Sequence, residues 1–89
     1  MARAATFDWD DANKAHIARH GVTPEDVEQA FANHPLLMIA AQRRRGEERV
    51  LCAGLTDAGR ALQFVYTLRR GKVRVITAHT AKKKVREKL

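Results

Sequence analysis

Leu62-Gln63-Phe64-Val65-Tyr66-Thr67-Leu68-Arg69-Arg70-Gly71-Lys72-Val73-Arg74-Val75-Ile76 is two alternating runs joined by one Arg-Gly pair. Apolar and β-branched residues recur at every second position on each side, which is the period of a strand, and an X-Gly pair between such runs marks a two-residue hairpin loop. With Arg70-Gly71 as the loop, Arg69 faces Lys72, Thr67 faces Arg74 and Tyr66 faces Val75. Leu62, Phe64, Tyr66 and Leu68 then share one face with Val73 and Val75, a surface apolar enough to receive helices. The other face collects Val65, Thr67 and Arg69 with Lys72, Arg74 and Ile76. A three-residue loop would pair Leu68 with Arg74 and mix the two faces, so the two-residue register is preferred. Three cations, Arg69, Lys72 and Arg74, thereby gather on the open side of a sheet.

Working outward, the chain upstream repeats the pattern. Residues 36–43, 48–55, 61–69 and 72–77 are four extended runs, separated by Gly46, by Thr56-Asp57-Ala58-Gly59 and by Arg70-Gly71. Connections this short predict an antiparallel meander. The first third reads as helical. Asp10 offers an N-cap to a helix over residues 11–20, stopped by Gly21. Thr23-Pro24-Glu25-Asp26 starts a second helix with a hydroxyl cap, a proline in the first turn and two carboxylates beside it. Val27, Ala30, Phe31 and His34 fall on one face of that helix, and Pro35 ends it. Residues 1–6 are expected to fray. Phe7-Asp8-Trp9 is expected as a short edge strand, and a last short helix from about Thr80 carries Ala81, Val85 and Leu89 on one side. The order β-α-α-β-β-β-β-α predicts an α+β fold: a four-stranded antiparallel sheet, plus the short N-terminal edge strand, with two N-terminal helices on one face and a short C-terminal helix.

Eighty-nine residues make one domain, and a hydrophobic fraction of 45% argues for a folded chain. Cys52 is the only cysteine, which rules out an internal disulfide and fits a small buried thiol in a reducing compartment. No apolar run resembles a signal peptide or a membrane span, so a cytoplasmic protein is expected. The net charge of +7 is unevenly divided. Residues 1–42 carry three Lys and Arg against six Asp and Glu, whereas residues 43–89 carry fourteen against four. Cations gathered on one half present a local field that attracts polyanions, and nucleic acid is the partner this implies.

Several groups are candidates for chemistry. His16 and His20 stand at i and i+4 on one helical face, a metal-compatible spacing, but no third ligand is evident, and histidines near a helix C-terminus are the simpler reading. Arg43-Arg44-Arg45 at a hairpin tip reads either as a solvated loop or as an RNA-contacting finger. Lys82, Lys83 and Lys84 with Arg86 and Lys88 place cations where a helix dipole disfavours them, which suits either a docked anion or a solubilising tail. His79 stands where the last strand is expected to give way to the last helix, placed for proton transfer in a basic setting. The basic half has no clustered carboxylates, so two-metal phosphodiester cleavage is not expected. RNA cleavage would proceed instead by attack of the 2′-hydroxyl on its neighbouring phosphorus, which needs a base, an acid and cations, and no metal.

Phe7-x-Trp9-Asp10, Lys14, Arg19-His20-Gly21-Val22, Phe31, Glu48-Arg49, Gly54-Leu55, Leu62, Val65-Tyr66-Thr67, Arg69 and Arg74-Val75-Ile76-Thr77-Ala78, with Ala81 and a basic tail, together resemble the BrnT family. The resemblance covers nearly the whole chain after residue 6. It implies a ribonuclease toxin of a type II toxin–antitoxin system with a compact RelE-like fold; with the lack of clustered carboxylates, a metal-independent endoribonuclease without a cofactor is expected. It also implies a ribbon-helix-helix antitoxin of the BrnA kind, through which the complex would reach operator DNA. Its expected function is cleavage of mRNA, which stops translation and growth. Arg69 and Arg74 would clamp the phosphate, with His79 transferring a proton and Lys72, Lys82, Lys83, Lys84 and Arg86 holding the RNA backbone. Three positions depart from the family pattern: His16 replaces a usual Asn, His79 a usual Arg and Val85 a usual Glu. The departures at 79 and 85 leave open a non-catalytic relative that binds nucleic acid or antitoxin.

Overall fold

The computed structural model describes residues 5–89; the fraying expected over residues 1–6 falls mainly outside that range. Two capping boxes start the helices. At α1 (Asp11–Ala18), the Asp10 carboxylate accepts from the Asn13 N–H at 3.0 Å, and Asn13 Oδ1 accepts from the Asp10 N–H at 2.8 Å. At α2 (Pro24–Ala32), Thr23 and Asp26 exchange the same two bonds at 3.1 and 3.0 Å. Each box satisfies N–H groups that a helix start leaves without partners. α1 stops short of His20, with Arg19 as its C-cap and Gly21 left-handed at φ 69°. α2 ends at Asn33, whose amide donates to the Leu55 carbonyl and to Asp57 Oδ1, both at 2.9 Å. His34, expected on the apolar face of α2, therefore lies beyond the helix and is exposed.

The meander follows sequence order: β1 (Leu37–Arg44), β2 (Glu47–Leu55), β3 (Ala61–Arg69) and β4 (Lys72–Thr80), antiparallel throughout. Arg69 faces Lys72, Leu68 faces Val73, Thr67 faces Arg74 and Tyr66 faces Val75, as the two-residue loop predicts. Beyond that point Ile76 is bulged out of the pairing. The register moves by one, so that Thr77 faces Val65, Ala78 faces Phe64 and His79 faces Gln63. β4 also runs on to Thr80, past its expected end at Thr77. Residues 7–9 form no edge strand; Phe7 makes one isolated parallel bridge to Val73, with the Asp8 N–H donating to the Val73 carbonyl at 2.8 Å.

One sheet face is closed by α1 and α2 around Ile17, Val22, Val27, Ala30, Cys52, Leu62, Phe64, Val73, Val75 and Ala78. Phe7 stacks on Trp9 with centroids 6.0 Å apart and meets Phe31 edge-on at 5.5 Å, sealing the β4 side of this core. Trp9 Nε1 donates to Glu28 at 2.8 Å, tying the entry segment to α2. Cys52 is fully buried, and burial pushes its thiol up to about 12, the behaviour of a packing residue with no exposed thiolate. The expected short C-terminal helix is α3 (Lys83–Arg86), set apart from the layer of α1 and α2. The side chain of Gln63, on the face opposite Phe64, accepts the Lys82 N–H at 2.7 Å, so α3 begins on that other face.

Candidate active site at the seam of α1 and β4

α1 runs beside the free edge of β4 and covers its open backbone. Asn13 Nδ2 donates to the Val75 carbonyl at 3.3 Å and to the Asp8 carbonyl at 3.0 Å. His16 Nε2 lies 3.1 Å from Thr77 Oγ1, one step further along both elements. At the end of the seam His20 meets His79, with ring centroids 6.2 Å apart and His16 a further 5.8 Å behind His20. The Ile76 bulge carries His79 into this row. His79 Nδ1 lies 2.8 Å from the Thr80 carbonyl, which can only accept, so Nδ1 bears the proton in the neutral ring and Nε2 is left basic.

Arg60 locks the seam at this end. Its guanidinium donates to the Gly21 carbonyl at 2.8 Å, to the His20 carbonyl at 3.5 Å and to Thr80 Oγ1 at 2.9 Å, joining the end of α1 to the end of β4. Lys82, Lys83 and Lys84 follow directly and are exposed. Two imidazoles thus meet at a strand end that Arg60 holds and that three exposed lysines follow in sequence; a base, an acid and cations are what attack by a 2′-hydroxyl requires. Arg60 carried no signal in the sequence, since an arginine after a turn glycine looks like any solvated loop residue. His20 was readable only as a helix-end histidine. Among the described residues no group of three or more His, Cys, Asp and Glu is arranged to hold a metal ion.

The structure does not bring Arg69, Arg74 and His79 around one phosphate. Five residue steps of strand separate Arg74 from His79, roughly 16 Å at the rise of an antiparallel strand. Arg69 and Lys72 lie further still, at the opposite end of β4. Nor is Arg74 a free cation: its guanidinium contacts Asp10 at 2.9 Å and Asp8 at 3.6 Å, and its side chain is only 17% exposed. Both carboxylates come from the acidic first half of the chain. Asp26 and Glu28 are also committed, to Thr23 with Arg60 at 3.9 Å and to Trp9 respectively. The acidic half thus holds selected cations of the basic half in place, and Arg74 anchors the entry segment to the sheet.

Asp10 makes this anchor sensitive to pH. The bond from the Asn13 backbone N–H, aided by Arg74 and the Ala12 N–H and opposed by some desolvation, holds its carboxyl below the usual value. A carboxyl depressed in the folded state contributes stability above its unfolded value, and this is lost as pH falls through the folded one. Asp10→Asn keeps a capping oxygen but cannot ionise. The melting temperature of the wild type should therefore exceed that of Asp10→Asn at about pH 6, and the gap should close towards about pH 3. A gap that persists in acid would show that the carboxylate charge is not what matters.

The family profile of ribonuclease toxins of type II toxin–antitoxin systems matches residues 9–84, from Trp9 past both histidines of the seam to Lys84. The protein is thus of a toxin class whose members are ribonucleases neutralised by an antitoxin. The chain belongs to the BrnT family. Comparison with curated proteins gives no significant match.

Proposed function

We propose that this chain is a metal-independent endoribonuclease that cleaves mRNA in the cytoplasm, and that a BrnA-like antitoxin silences it by forming a complex with it. The juxtaposition of His20 and His79 at the strand end that Arg60 holds, in a member of a ribonuclease toxin family, carries this reading. Nε2 of His79 takes the proton of a 2′-hydroxyl as its oxygen attacks phosphorus. His20 returns a proton to the departing 5′-oxygen, leaving a 2′,3′-cyclic phosphate and a free 5′-hydroxyl. Lys82, Lys83 and Lys84 offset the charge that builds on the phosphoryl oxygens. A RelE-like arrangement, with RNA on the open side of the sheet, is in keeping with the meander and with the α3 start on that side.

Expression of the chain alone in a bacterial host should arrest growth, and the purified protein should cut RNA in the presence of a chelator. Normal growth together with intact RNA would sink the reading. The departure from the family pattern at His79 favours one second reading, a relative that binds RNA without cutting it. Cleavage separates the two.

A further inference from the structure

β1–β2 and β3–β4 turn through the same pair of residues in the same conformation. Arg45 has φ 50° before Gly46 at 77°, and Arg70 has φ 54° before Gly71 at 76°. These are the left-handed positions of tight hairpins, where Asn, Asp and Gly are favoured and a long side chain is strained. The chain places arginine there twice. In a four-stranded meander the first and third hairpins turn at the same end of the sheet. Here they are also level, because Arg49 faces Thr67 and two strand residues lie between that pair and each turn. Arg45 and Arg70 stand two strand spacings apart, ~10 Å. Arg43, Arg44, Arg49, Arg69 and Lys72 lie around them, against Glu47 and Glu48 as the only carboxylates in these two hairpin ends, and Glu47 is held by Arg49 at 3.1 Å.

We infer that the paired Arg-Gly tips form a second RNA-backbone site, remote from the His20–His79 seam, that grips phosphates of a long strand and carries no catalytic group. The inference rests on the reading of the chain as an RNA-acting toxin, but the two can fail separately. The strained arginines are the sign: a turn free to take any residue would take Asn, and a merely solvated loop gains nothing from strain. Length follows as a consequence. An RNA long enough to span β4 engages both ends of the sheet, and a dinucleotide engages only the seam.

The double substitution Arg45→Asn with Arg70→Asn tests this, because Asn suits both backbone positions and removes both charges. The probe is a single-stranded 2′-O-methyl RNA of about 12 nucleotides, which the full chain cannot cleave. The slope of log affinity against log salt should fall by about 1.4 for two lost phosphate contacts, while the melting temperature holds or rises. Arg45→Lys with Arg70→Lys should keep the slope. Cleavage of a dinucleotide should be unchanged in the Asn variant, and cleavage of the long RNA should fall several-fold. An unchanged salt slope, or an equal fall in dinucleotide cleavage, would overturn the inference. Normal tip binding by a chain that cuts nothing would overturn the ribonuclease reading instead.

Discussion

His79→Ala is expected to lower RNA cleavage by the purified chain by at least about a hundredfold while changing RNA affinity by less than about threefold. The size follows from what one positioned acid or base contributes. The small effect on binding follows from where the cations lie, since alanine at 79 leaves Lys82–Lys84 and the hairpin arginines in place. His20→Ala should cause a loss of the same order. The double variant should fall little below either single one, because the two rings serve one step. His79→Asn is the sharper comparison: it can still donate to the Thr80 carbonyl, so it keeps the strand end intact but offers no base. If activity and affinity fall together in all four variants, the seam is a binding surface and the non-catalytic reading wins.

The largest expected loss of stability is at Gly54. β2 passes under α2 so closely that a Cβ built on Gly54 would overlap the carbonyl oxygen of Ala30. That oxygen is helix backbone and cannot rotate aside, so Gly54→Ala must push α2 off the sheet and open the core around Val27 and Phe64. Overpacking of this kind costs about 3 kcal/mol or more, a large share of the stability of a domain this size. Thermal unfolding should shift down by more than about 10 °C. A shift under about 2 °C would mean that α2 rides on β2 more loosely than the geometry requires.

Local chemistry made the frame legible. The caps at Asp10 and Thr23, the stops at Gly21 and before Pro35, and the Arg70-Gly71 turn are each decided within a few residues, and the sheet order follows from the short loops. The BrnT resemblance, read from scattered residues along the chain, is matched by the family profile over residues 9–84. The site was far less readable, because its parts meet only through the fold. Asp8 and Asp10 reach Arg74 from the far end of the sequence, Arg60 reaches back to Gly21, and His20 finds His79. Charge pattern identified which half was cationic but not which cations were already paired. The hairpin register grouped Arg69, Lys72 and Arg74, and the resemblance added the Lys82 run to the same site, whereas the length of β4 divides them between its ends. The Ile76 bulge left no trace in the alternation, since an apolar residue there fits either register.

That bulge has a bearing on how the chain can change over generations. Loss of one residue between Val75 and Ala78 restores a regular ladder and leaves the later pairs as they are, because Ala78 and His79 already face Phe64 and Gln63 in the register beyond the bulge. Ala78 stays in the core and His79 stays beside His20. Loss of a residue elsewhere in β4 has no spare position to absorb it and would exchange the sides of its neighbours. In a scan of every one-residue deletion, the stretch around Ile76 should therefore stand out as the tolerant point of the strand.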